Sequence, residues 1–203
     1  MTNHLHRGDL PEGLSFGSAV AVDTEAMGLN PHRDRLCLVQ LSAGDGDAHL
    51  VQLTPGAYDA RHLKALMADP TVTKLFHFAR FDLAMIYHYL GVMPGPVYCT
   101  KIASRLARTF TDKHGLRDLC KEVLNIDISK QQQSSDWGAA TLTDQQLQYA
   151  ATDVLHLHAL RARLDAMLAR EGRTDLARAA FDFLPARVLL DLEGWPEQDI
   201  FAH

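Results

Sequence analysis

Cysteine is scarce in this sequence, with Cys37, Cys99 and Cys120 the only three in 203 residues. They stand far apart, fit neither a zinc-finger spacing nor a disulfide framework, and read as reduced core residues of a cytoplasmic protein. Long apolar runs are missing too. Nothing approaches the roughly 18 residues that a membrane helix needs, so no membrane association is expected. The opening stretch from Met1 to Gly13 is polar and has no apolar core, so no secretory signal is expected there. Nor is there a basic excess. The chain carries 20 Lys and Arg against 25 Asp and Glu, a net charge of −5. That sign argues against a protein that merely coats nucleic acid, but not against an enzyme that handles a short piece of it. No internal repeat occurs, and low complexity goes no further than Gln131-Gln132-Gln133. What remains, 47% apolar and 22% charged residues, is the composition of one globular domain at roughly 100–200 residues per domain.

Apolar runs bounded by Gly, Asn, Pro and Asp predict strands over residues 19–23, 35–41, 49–53 and 72–78. Gly44-Asp45-Gly46-Asp47 between the second and third has hairpin chemistry. Helical spacing predicts helices over 61–68, 80–90, 100–110, 115–124, 143–170 and 174–191. A three-strand meander followed by strands interleaved with helices implies an α/β protein with a mixed sheet flanked by helices. The long helix from Thr143 has the firmest local signal. Thr143 with Gln146 forms a capping box, and Leu147, Ala150, Val154, Leu157, Arg161, Leu164 and Leu168 follow a three-and-four rhythm facing the core, apart from Arg161. Tyr149 and Asp153, four apart, sit one above the other beside that stripe.

Acids occur where chemistry can use them. Asp23 and Glu25 are two apart at the end of the first apolar strand and so point to the same side. Asp82 falls in the first turn of a helix, where an acid is also a favourable partner of the helix dipole. Asp153 sits mid-helix among apolar residues, where a buried carboxylate needs a partner or a metal. Four carboxylates approaching one point repel one another unless divalent cations neutralise them. An all-oxygen donor set selects Mg²⁺ or Mn²⁺ over zinc. Two such ions about 3.5–4 Å apart are suited to phosphodiester hydrolysis.

The set Asp23-x-Glu25, Asp82 and Tyr149-x-x-x-Asp153 resembles the three motifs of the DEDDy 3′–5′ exonucleases, the ribonuclease D-like branch of the ribonuclease H-like superfamily. The run Leu36-Cys37-Leu38-Val39-Gln40-Leu41 is similar to that family's second strand, and Ser135-Asp136-Trp137 with Tyr149-Ala150-Ala151-Thr152-Asp153 to its signature run. Asp23-Thr24-Glu25-Ala26-Met27-Gly28-Leu29, Cys99-Thr100-Lys101 and the segment from Ser129 to Trp137 narrow the resemblance to the short alphaproteobacterial nanoRNase C type. The resemblance implies a ribonuclease H-like exonuclease fold with a mixed five-stranded sheet. It implies a single exonuclease domain over 1–203, with a catalytic core at about 15–165 and a helical tail at about 170–203. The 38 residues after Asp165 are too few for the HRDC-type domain of full-length ribonuclease D.

The same resemblance implies two divalent ions, Mg²⁺ or Mn²⁺. Asp23 would bridge them, Glu25 and Asp153 would complete one site, and Asp82 would hold the other. Tyr149 would orient the attacking water. The implied reaction is 3′–5′ hydrolysis of short single-stranded RNA down to dinucleotides, releasing 5′-nucleoside monophosphates. The same acids also serve tRNA 3′-end trimming or DNA hydrolysis, and a third class is an inactive nucleic-acid-binding domain on this fold. Candidate substrate contacts are Thr24 and His77 beside the acids, and Leu29 either as a wedge between bases or as a packed loop residue. Lys101, Arg108, Lys113, His114 and Lys130 would grip a 5′-phosphate or backbone, while Gln133, Ser134 and Ser135 would reach the ribose 2′-hydroxyl or bases. The stretch holding those cations also reads simply as a solvated helix face. Apolar residues crowd the tail from Phe181 to Trp195 and either dock in cis or form a subunit interface. The resemblance implies a homo-oligomer, by analogy an octamer.

Overall fold

Two strands join the four that the apolar runs predict. The computed structural model describes residues 2–129, 131–132 and 134–202. In it β1 (Asn3–Arg7), β2 (Ala19–Ala26), β3 (Leu36–Ser42), β4 (Ala48–Gln52), β5 (Thr73–Phe76) and β6 (Val97–Cys99) form one sheet in the order β1-β4-β3-β2-β5-β6. The antiparallel meander is β2-β3-β4, and β1 on β4, β5 on β2 and β6 on β5 are parallel. The mixed sheet therefore has six strands where five were expected. The sequence of β1, NHLHR, has no apolar run. Its pairing comes from backbone register with β4, from Asn3 opposite Ala48 to Arg7 opposite Gln52. β6 has only three residues, too few to show alternation. Every residue of β3 is buried, as a strand covered on both faces requires.

The helices are α1 (Arg61–Ala68), α2 (Ala79–Leu90), α3 (Thr100–Ala107), α4 (Leu116–Leu119), which runs on into a π-helical turn (Cys120–Leu124), α5 (Asp144–Leu155), α6 (Leu157–Arg170) and α7 (Thr174–Leu192). The single helix expected over 143–170 is thus two, with His156 at φ −103° and ψ −6° between them. The buried stripe survives the break, because Ala150, Val154, Leu157, Leu164 and Leu168 all remain in the core. Periodicity alone does not detect so small a deviation. At the start of α5 the Gln146 N–H donates to Thr143 Oγ1 (3.2 Å) and the Thr143 N–H to Gln146 Oε1 (2.9 Å), a capping box of the kind that stabilises a helix by about 1 kcal/mol. Gly44 in the β3–β4 turn has φ +81°, and a Cβ there would lie 2.8 Å from the His158 ring, so the close approach of α6 requires glycine.

α5 lies across β2, β3 and β4, α2 packs on β2, β3, β5 and β6, and α7 packs on α2, α3 and β6. The tail docks in cis through one stripe, Ala177, Phe181, Leu184 and Val188, with the Phe181 ring 4.7 Å from that of Tyr98. Phe183, Leu189 and Trp195 on the same segment stay exposed. All three cysteines are free and buried, which suits their apolar sequence surroundings.

Candidate active site

β2 brings the first two acids to the middle of the sheet. Asp23 lies opposite Gln40 of β3, whose side-chain amide donates to Asp23 Oδ2 (3.3 Å). A bulge between Glu25 and Ala26 then ends the regular register and re-aims the chain. The third acid arrives by a sharper device. After β5, Phe78 adopts a left-handed conformation (φ +68°, ψ +43°) immediately before α2, at a cost of about 1–2 kcal/mol for a residue with a side chain. That turn seats Asp82, only 2% exposed, against β2, where the Thr24 hydroxyl donates to Asp82 Oδ1 at 2.7 Å. α5 supplies Asp153 and, one turn earlier, Tyr149. Asp23, Glu25 and Asp153 each offer a carboxylate oxygen, and the three lie within 4.8 Å of one another.

The crowding of these acids shows in their electrostatics. Burial, followed by the charges of Asp82, Asp153 and Glu25, pushes Asp23 well above the usual carboxylate range. Burial and the charges of Asp153 and Asp82 push Glu25 up to about 9. Asp82 rises to about 7 through burial, in spite of the Thr24 hydroxyl and backbone N–H groups that pull it down. The Tyr149 phenol is also pushed up, by burial first and then by the charges of Asp153, Glu25 and Asp23, and so stays protonated at neutral pH. Buried carboxylates that raise one another in this way, with only oxygen donors among them, fit hard divalent cations such as Mg²⁺ or Mn²⁺.

The acids line a cleft of about 770 Å³, a volume suited to a ligand of nucleotide size. Thr24, Leu29, His77, Lys101, Ser134 and Ser135, six of the expected substrate contacts, line it as well. Leu29 is 84% exposed at its mouth. It is presented by a loop in which a Cβ on Gly28 would meet Asp34 Oδ2 at 2.3 Å. His77 Nδ1 is 2.9 Å from Thr100 Oγ1, and that hydroxyl donates to Phe76 O (3.1 Å). Lys101 Nζ lies 4.1 Å from the centroid of the Phe78 ring, a cation–π pair on the cleft wall.

Other expected contacts are not brought here. Arg108, Lys113 and His114 are absent from the cleft lining. The buried Arg108 guanidinium donates to Ser104 Oγ (3.3 Å) and Lys113 O (3.0 Å) and pairs with Glu122, so it ties α3 to the π-helical turn instead of facing substrate. His114 Nδ1 meets Ser104 Oγ (2.8 Å), and Lys113 is exposed. Lys130 and Gln133 lie outside the described residues. Conversely, Phe78, Phe81, Arg117 and Trp137 line the cleft without having been singled out as contacts. Trp137 is buried beside Tyr149, ring centroids 6.0 Å apart. Phe78 falls inside the run predicted as strand over 72–78, but β5 ends at Phe76, so the signal missed was an aromatic two residues past the strand's true end.

Known proteins resemble this chain in both sequence and fold. Residues 9–169 match a family model described as 3′–5′ exonuclease. Ribonuclease D of Gluconacetobacter diazotrophicus is 37% identical over 156 residues, which is 77% of this chain but 39% of that protein. The chain thus spans about two fifths of the length of that curated relative. Among solved structures, Brucella melitensis NrnC with bound Mg²⁺ is 55% identical with a TM-score of 0.96, each chain fully covered. The same Brucella protein bound to pGG is 56% identical with a TM-score of 0.97, covering 100% of this chain and 99% of that one. No helix of the described residues is long and apolar enough to cross a membrane. With most of its length matched, the chain belongs to the 3′–5′ exonuclease family, has the ribonuclease H-like α/β fold of that family, and falls in one group with Brucella NrnC.

Proposed function

We propose that this chain is a 3′–5′ exoribonuclease that hydrolyses short single-stranded RNA, dinucleotides included, and releases 5′-nucleoside monophosphates. The observation that carries this proposal is the convergence of Asp23, Glu25 and Asp153 within 4.8 Å, beside Tyr149 and in a cleft of nucleotide size. NrnC structures with Mg²⁺ and with pGG support the cofactor and a substrate only two nucleotides long. Asp23, Glu25, Asp153 and Asp82 would hold two divalent cations, which when bound acidify a water and neutralise charge on the scissile phosphate.

The protein's own groups do the positioning. The Tyr149 hydroxyl, kept protonated by its surroundings, orients the attacking water toward phosphorus. Water gives up a proton to solvent as its oxygen bonds to phosphorus, the bond to the 3′-oxygen of the preceding nucleotide breaks, and that oxygen takes a proton from solvent to leave as the 3′-hydroxyl. Thr24 fixes Asp82 through its hydroxyl. Phe78 and Leu29 offer apolar surface to bases at the cleft wall and mouth, and Lys101 brings a positive charge to the same wall. Ser134 and Ser135 supply hydroxyls for the ribose 2′-OH.

Residues 1–203 act as one exonuclease domain, with the core at about 15–165 and the tail carrying assembly. Exposed Phe183, Leu189 and Trp195 support a homo-oligomer, an octamer by analogy. Cytoplasmic action agrees with the three free, buried thiols. The test is a time course with 5′-labelled RNA of two to about twenty nucleotides, beside matched DNA, in Mg²⁺ and Mn²⁺. Preferential disappearance of RNA dimers is expected. Accumulation of dimers, or equal action on DNA, overturns the substrate assignment.

A further inference from the structure

The first turn of α2 is held from a second direction. Thr24 grips Asp82 from β2. Arg80, two residues earlier, reaches into the C-terminal segment, where its Nε donates to Asp191 Oδ2 (2.5 Å) and its Nη2 to Asp191 Oδ1 (2.7 Å) and Pro196 O (2.6 Å). Asp191 is itself shared. Arg187 donates to its Oδ1 from Nε (3.0 Å) and Nη2 (2.5 Å), and continues to the carbonyls of Trp195 and Gln198. One residue on, Leu192 O lies 3.1 Å from His32 Nε2, in the loop that presents Leu29. Residues 191–198 therefore touch, through Arg80 and His32, two segments that each supply other residues to the cleft, the first turn of α2 and the loop between β2 and β3.

Docking of α7 does not require this cluster, because the apolar stripe of Phe181, Leu184 and Val188 already seats the helix. A planar guanidinium forked on a carboxylate adds orientation, which apolar contact does not. The turn it orients follows the left-handed Phe78, a conformation that persists only when its surroundings over-determine it. Metal affinity depends on such outer groups, since they set the direction in which a ligating carboxylate points.

We infer that Asp191 is a positioning residue for the metal-binding acids: through Arg80 it fixes the first turn of α2, and with it the Asp82 carboxylate, so that the C-terminal strap is part of the active site's support. This rests on the metal-dependent reading of the site given above. The test is Asp191→Asn in the full chain, with Mn²⁺ binding followed by titration calorimetry and hydrolysis of a 5′-phosphorylated diguanylate measured alongside. Mn²⁺ affinity is expected to fall about 10-fold. The dinucleotide kcat should fall while its KM stays near the wild-type value, with melting still cooperative and Asp191→Glu restoring most of the affinity. If Asp191→Asn does not fold, Arg80→Lys, which keeps the charge and loses the fork, is expected to act in the same direction. Equal Mn²⁺ affinity in wild type and variant overturns the positioning role and leaves the site assignment standing. A wild-type chain that binds no Mn²⁺ overturns both.

Discussion

Stripping divalent metal from the protein should make its stability fall as pH rises through neutrality, and Glu25 is the group that shows this best. Its carboxyl moves from 4.5 to about 9 on folding, by burial and then by the charges of Asp153 and Asp82. The folded state therefore binds a proton more tightly than the unfolded state. Its stabilisation is complete below about pH 4.5 and is lost progressively up to about pH 9. Between pH 5.5 and 7.5 one such group acting alone would cost about 2.7 kcal/mol. The neighbouring acids titrate with it and the cleft admits water, so about 1.5 kcal/mol is the working figure. For a chain of this size that corresponds to a melting temperature lower by about 3–6 °C. Histidines oppose the trend. His49 and His156, whose pKa burial lowers, favour folding more as pH rises through the histidine range. The assay is therefore calorimetric melting in chelator across pH 5.5–8, as the difference between wild type and Glu25→Gln. The wild type should lose stability relative to the variant as pH rises, and Mg²⁺ at about 100 times its Kd should add about 2.7 kcal/mol to the wild type. A flat difference curve, or one that rises in favour of the wild type, would refute the argument that these acids crowd one another.

Asp23→Ala should abolish turnover while leaving the fold intact, as read by circular dichroism and RNA hydrolysis in parallel. Near wild-type rates in pure protein would contradict its assignment. Thr24→Val removes the 2.7 Å donor to Asp82. The rate should fall about 10-fold and the Mg²⁺ needed for half-maximal activity should rise. Lys101→Met should raise the dinucleotide KM with little change in kcat, and an unchanged KM would remove this lysine from the substrate wall. Light scattering at micromolar concentration should find an oligomer that Phe183→Glu with Leu189→Glu dissociates, whereas a monomeric wild type would sink the assembly.

The acids were legible in the sequence because their spacing is local. Two apart on a strand and four apart on a helix each define a shared direction, whatever surrounds them. Asp82 was legible in kind but not in its geometry, since its seat depends on a left-handed Phe78 that no residue preference announces. Arg108 shows the opposite failure. A cation in a basic stretch looks ready for phosphate, but Glu122, fourteen residues away and on the next helical segment, takes its guanidinium. β1 escaped for a related reason, because it pairs through backbone groups that every residue carries and NHLHR needs no apolar pattern to join the sheet, while β6 at three residues is too short to show alternation.

The account stands or falls on paired cations among distant acids. Crystals soaked in Mn²⁺ and measured for anomalous scattering would test this directly. Two peaks a few ångströms apart are expected, touching Asp23, Glu25, Asp153 and Asp82, while no peak among these carboxylates, or ions bound only elsewhere on the chain, would contradict it.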